Sequence, residues 1–192
     1  MYHYNQYNGT IIPSIGLYAY IDKEIIRKVE KYDYNMLYYA FDGTVYAREK
    51  NREFFKNDYK RRKIAKPLYA EKYRYKDVEL EERIEKNDIG KLIIYGRDLE
   101  VDVDGIVVFR KDSSDTIELT KTGCNKAIGI SLLAKHLGIS EDDIYVLGDE
   151  GNDREMLMSF KHSFLVDHPY NRNFAVGRYR IKNMLSLKEY LK

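Results

Sequence analysis

The densest gathering of chemically capable side chains in this 192-residue chain is Gly148-Asp149-Glu150-Gly151-Asn152-Asp153. It follows the apolar run Ile144-Tyr145-Val146-Leu147 and opens a helix-like segment from Arg154 to Phe160. The pattern is strand, tight acidic loop, helix, and α/β sheets present their ligands at such strand ends. A hard divalent cation takes oxygen donors, and Mg²⁺ commonly uses one or two protein carboxylates while keeping waters and substrate phosphate. Asp149 and Asp153 are the candidate metal ligands. Asn152 and Gly148 are the candidate phosphate-side and supporting residues, aided by the backbone N–H groups that open the following helix. Taken alone, an acidic loop containing glycine is as readily a turn with a helix cap.

Lys126 opens its own helix, one helix and one strand before Asp149. In a parallel α/β unit that spacing can bring it to the same sheet edge. There a lysine neutralises phosphate charge or holds a reacting carboxylate in place, so Lys126 is the candidate catalytic residue. In isolation it would read as a solvent-facing lysine in a first helical turn.

The elements that must position these residues follow from periodicity and punctuation. Residues 126–137 carry Ile130, Leu133, Ala134 and Leu137 on one stripe and stop at Gly138, a suitable residue for a helix C-terminus. Ser140 can cap a short turn into the strand at Ile144, residues 163–166 predict another buried strand, and residues 185–191 a closing helix. From Ile117 onward strand, helix and strand alternate as in a parallel α/β unit, which sets the expected boundary near residue 112. Upstream the signals are different. Residues 4–12 read as a strand interrupted by Asn8-Gly9, and Asp22 is the expected N-cap of a helix over 23–32. Asp42-Gly43 between residues 35–41 and 45–48 is a strong hairpin signal. Residues 49–88 predict helices with loops, and residues 91–95 and 106–110 further strands.

Composition narrows the class. The chain carries 33 basic and 31 acidic residues, a net charge of +2, which gives no reason to expect a polyanionic partner. Lys60-Arg61-Arg62-Lys63 reads as a solvated face, not a nucleic-acid patch. Cys124 is the single cysteine, so neither an internal disulfide nor a Cys/His metal framework is expected, and a reducing compartment follows. The start of the sequence has no basic region leading into an apolar one, and no stretch approaches the ~18 apolar residues of a membrane span. The expectation is a cytoplasmic protein with no membrane or nucleic-acid partner.

Thr122-Gly123-Cys124-Asn125-Lys126-Ala127, the helix end Leu137-Gly138-Ile139, and the run from Val146 to Leu157 around the acidic loop together resemble the C-terminal half of Cof-type phosphatases of the haloacid dehalogenase (HAD) superfamily. Tyr7-Asn8-Gly9-Thr10 resembles the segment through which that family enters its large α/β cap. The resemblance implies an α/β fold: a HAD-like Rossmannoid core, here its C-terminal half, with a cap. The implied layout is a core remnant over 1–10, the cap over 11–111 and the distal core over 112–192. It implies Mg²⁺-dependent hydrolysis of small phosphorylated metabolites, with Lys126 as the family lysine, Asp149 and Asp153 as metal-binding carboxylates and Asn152 as the loop amide. It also implies an Asn-Ala pair after the next strand, where this chain has Val166-Asp167-His168-Pro169, so the usual support of the metal loop is missing from its expected place.

The family's nucleophile sits in Asp-x-Asp-Gly-Thr, and no such string occurs in the chain. Ala40-Phe41-Asp42-Gly43-Thr44 keeps the last three letters but puts an alanine methyl where the nucleophile belongs. Asp102-Val103-Asp104-Gly105-Ile106 has both aspartates but lies far along the chain, and Tyr95-Gly96-Arg97 echoes a phosphate-binding turn without its small hydroxyl residue. All three are expected to be strand and hairpin features. The sequence thus predicts a catalytically impaired or incomplete phosphatase. Its partners are expected to be a small phosphorylated metabolite together with a second copy or a complementing polypeptide, and the alternative is a non-catalytic binding module derived from such an enzyme.

Overall fold

A computed structural model describes residues 3–4, 11–12, 19–57, 73–96, 99–110 and 115–191. Tyr7 to Thr10, Lys60 to Lys63 and Arg97 lie outside the described residues. The chain forms two compact units that part between Thr122 and Gly123.

The two-residue strands are β1 (His3–Tyr4) and β2 (Ile11–Ile12), of which β2 belongs to the second unit; the first unit is built on a five-stranded antiparallel sheet. Its members are β3 (Asn35–Ala40), β4 (Val45–Ala47), β5 (Ile89–Tyr95), β6 (Ile106–Arg110) and β7 (Thr116–Lys121), in the order β4-β3-β5-β7-β6. Successive side chains of a strand point to opposite faces. In β3, Met36 and Tyr38 therefore meet one apolar cluster and Leu37 another. The first cluster packs under α1 (Lys23–Glu30) and α3 (Asp77–Glu85) through Ile26, Val29, Leu80 and Ile84. The second receives Phe55 of α2 (Arg52–Lys56) and Tyr73. Burial of a side chain such as Ile26 or Leu80, both fully buried, contributes about 2 kcal/mol each.

Two expectations are revised here. Asp22 stands at the N-cap position of α1, but its side chain makes no cap bond; its carbonyl accepts from the Ile25 and Ile26 amides, while its carboxylate faces Lys121 at 3.5 Å. The strand at Ile117 does not begin a parallel unit. It is β7, antiparallel to both β5 and β6, so the chain divides after Thr122 and not near residue 112. Strand periodicity does not reveal which sheet a strand joins.

The second unit holds α4 (Lys126–Leu137), β8 (Tyr145–Gly148), α5 (Arg154–Ser159), β9 (His162–Val166) and β10 (Tyr179–Ile181). The three strands are parallel in the order β10-β9-β8. Asn125 caps α4 by accepting from the Ile128 amide at 2.9 Å, and Gly138 closes it in the left-handed conformation at φ 66°. Val146, Met156, Leu157, Phe160 and Leu165 form the local core. The expected closing helix is instead a 3-10 segment, Met184–Glu189, capped by Asn183.

Candidate functional site

The residues of the second unit that the sequence singles out for cation and phosphate converge where β8 ends. Asp153 is 4% exposed, and its carboxylate is fully occupied. One oxygen pairs with the Lys126 ammonium, and the other accepts from the backbone amides of Asp149 at 3.0 Å and Glu150 at 3.3 Å. The Glu150 side chain in turn accepts from the Asp153 amide, which completes a capping box around the Gly151–Asp153 turn. Gly148 is required by this arrangement: a Cβ built there would lie 2.5 Å from the Asp153 Cβ. Any side chain at 148 would push out the carboxylate that holds the loop together.

Asp149 is treated in the opposite way. Its amide is held by Asp153, its carbonyl accepts from the Asn171 side chain at 2.8 Å, and its own carboxylate is exposed with no partner among the described residues. Asn152 is half-buried, and its side chain makes no hydrogen bond to other described residues. The structure thus brings Lys126, Gly148, Asp149, Asn152 and Asp153 to one place but divides the two aspartates. Asp153 organises, and Asp149 is free to ligate.

Asn171 is the residue that sequence reasoning missed. It is buried, donates to the Asp149 and Val166 carbonyls at 2.8 Å each, and accepts from the His168 amide at 3.0 Å. It anchors the Asp149 carbonyl although Asp167-His168 stand where the resemblance implied an Asn-Ala pair. Asn after His168-Pro169 in the 3-10 turn Pro169–Asn171 is a turn signal. That signal alone does not reveal the long-range bond to Asp149.

The decoy sequences all belong to the first unit. Asp42 accepts from the Thr44 amide at 2.8 Å and pairs with Arg83 at 2.7 Å in a hairpin whose Gly43 has φ 85°. Asp102 lies in the approach to β6, where its backbone amide and carbonyl both lie 3.2 Å from the Tyr32 hydroxyl. Gly96 follows β5 at φ 156°.

A strand-end loop with this lysine and these acids invites comparison with known proteins. A sequence profile of the haloacid dehalogenase-like hydrolases matches residues 2–171. The chain belongs to this family. Over 54 residues it is 41% identical to the HMP-PP phosphatase of Escherichia coli K12, a stretch covering 28% of this chain and 20% of that protein. Among solved HAD structures, a phosphatase from Bacteroides thetaiotaomicron, BT1666, matches 95% of this chain and 68% of its own at a TM-score of 0.68 and 18% identity. The HAD subclass IIB sugar phosphatase BT4131 matches 90% of this chain and 68% of its own at a TM-score of 0.64 and 14% identity. At these identities the likeness establishes the HAD-like Rossmannoid fold.

HAD phosphatases generally use Mg²⁺. Among the described residues no group of three or more His, Cys, Asp or Glu side chains converges as a ready-made metal site. The donor set still suits Mg²⁺, which needs only one or two protein carboxylates beside water and phosphate oxygens, and the free Asp149 carboxylate supplies one. No helix among the described residues is long and apolar enough to cross a membrane.

Proposed function

We propose that this chain is the cap and the distal core of a Cof-type HAD phosphatase acting on small phosphorylated metabolites. In this reading Asp149 holds Mg²⁺, Lys126 holds phosphate charge, Asp153 and Asn171 position the loop, and Asn152 faces the ligand. The observation that carries it is the division between the aspartates: Asp153 is buried and fully paired, while Asp149 has its backbone pinned on both sides and its carboxylate free. Mg²⁺ bound there would neutralise phosphate charge and orient the ester. The 54-residue likeness to an HMP-PP phosphatase makes HMP-PP the first ester to try.

Holding charge is not the same as attacking phosphorus. With no Asp-x-Asp-Gly-Thr string in the chain, we propose that these residues by themselves turn over phosphate esters weakly or not at all. The second reading, a non-catalytic binding module, draws on the same fact. The single Cys124 fits a reducing compartment, and we place the protein in the cytoplasm. Among the described residues β8 ends its sheet, and an open strand edge is a template for pairing. A second copy or a complementing polypeptide is proposed to cover it; a monodisperse monomer in light scattering at all concentrations would remove the self-association.

The test is a melting curve with and without MgCl₂, beside p-nitrophenyl phosphate hydrolysis. MgCl₂ is expected to raise the melting temperature of the wild type but not of Asp149→Asn, with hydrolysis near background. No shift in the wild type sinks the ion site and leaves the binding module. Fast Mg²⁺-dependent hydrolysis that is lost in Asp102→Asn would place the nucleophile in the first unit and overturn the impairment.

A further inference from the structure

One stretch of the second unit concentrates positive charge that the acidic loop does not use. Between Asp167 and Glu189 the chain carries Arg172, Arg178, Arg180, Lys182 and Lys188 and no acidic residue at all. Residues 172–180 line an open cavity of about 450 Å³. The three arginines there have different fates. Arg180 is structural: it pairs with Asp167 at 2.7 Å and donates to the Phe174 carbonyl at 2.8 Å, which folds the segment back on itself. Arg172 and Arg178 are exposed, and neither guanidinium meets a carboxylate among the described residues. The turn at Arg178 is set by its backbone, whose amide donates to the Ser163 carbonyl at 3.1 Å and hydroxyl at 3.0 Å. Gly177 precedes it at φ 82° against the Leu165 backbone, where a Cβ would lie 3.3 Å from the Leu165 amide nitrogen.

A guanidinium presents a planar fork of donors that matches phosphate oxygens two at a time, and uncompensated like charges gathered around a concavity favour a multiply charged anion. We propose that the cavity over residues 172–180 is an anion site for a condensed phosphate, a pyrophosphate group gripped by Arg172 and Arg178. It is distinct from the Lys126–Asp149 loop, although the two share a neighbour. Arg180 also approaches the Asn171 carbonyl at 3.4 Å, and Asn171 holds Asp149. The site does not rest on the phosphatase reading.

Isothermal titration of the full chain with sodium pyrophosphate, in EDTA so that no divalent cation contributes, tests it. Wild type is expected to bind, with affinity falling as NaCl rises. Arg172→Gln/Arg178→Gln is expected to lose about tenfold or more in affinity, as two charge-assisted hydrogen-bonding groups are removed. Its unchanged melting temperature would show that the fold is intact, since both side chains are exposed. Lys135→Gln, at an exposed lysine outside the cavity, is expected to bind as wild type does. The proposal is overturned if wild type does not bind at millimolar pyrophosphate, or if the double glutamine variant binds as tightly as wild type. Failure of the Mg²⁺ shift in Asp149→Asn experiments would leave this result untouched, so the two readings fail separately.

Discussion

Two acidic turns in this molecule look alike on paper and behave differently in space. Phe41-Asp42-Gly43-Thr44 and Gly148-Asp149-Glu150-Gly151 each place an aspartate beside glycine just after a buried strand. In the first, the aspartate is consumed by the fold: Asp42 closes its own turn on Thr44 and reaches across to Arg83. In the second, a different residue, Asp153, takes up the amides and the lysine, so that the Asp149 carboxylate is left with no structural duty. A carboxylate is available for chemistry only where a neighbour has taken over its structural work.

That contrast can be broken most severely at Gly148. Gly148→Ala places a methyl within the Asp153 side chain and is expected to destabilise the second unit by about 3 kcal/mol, as overpacking of a tight site does. Urea denaturation of the variant beside wild type would read it, and an unchanged midpoint would mean that Asp153 is free to move and does not organise the loop. Asn171→Ala removes a buried side chain that satisfies two carbonyls and an amide, at a cost of about 2 kcal/mol. It should also weaken the Mg²⁺-induced shift; a full-sized shift would show that the Asp149 carbonyl needs no anchor.

A third carboxylate sharpens the comparison from the first unit. Burial works against ionisation of Glu30, but the Tyr38 hydroxyl and the Arg48 guanidinium outweigh it, and its carboxyl is held below the ordinary value of 4.5. The ionised form therefore contributes stability that is complete above that value and is lost as pH falls through the lowered one. Glu30→Gln should cost about 1 kcal/mol at pH 7, and the two proteins should converge in acid. Melting curves at pH 7 and pH 3 that differ by the same amount would refute the assignment. The smallest effect is expected at Asp42, which is 45% exposed: Asp42→Asn should change stability by less than about 0.5 kcal/mol in thermal melts, because exposed ion pairs contribute little.

Much of the fold was legible because its signals are local. The Asp42-Gly43 hairpin, helix α4 ending at Gly138, the strand over 106–110 and the acidic loop after Leu147 all stand where spacing and turn chemistry put them. At Asp22 the local logic gave the N-cap position but not the side-chain bond, because the carboxylate faces Lys121. It failed at the closing segment, where a helical pattern yields only a 3-10 run.

The sequence by itself determined that these residues make an α/β chain of the HAD family, that Lys126 and the Gly148–Asp153 loop are its candidate site, and that no Asp-x-Asp-Gly-Thr string accompanies them. Only the tertiary structure decided which aspartate is free, that Asn171 anchors the loop, and that β7 belongs to the antiparallel sheet. The physical reason is common to all three. Residue type and spacing fix what a side chain can donate or accept. Partners far along the chain, brought close by burial, decide whether that capacity is already in use.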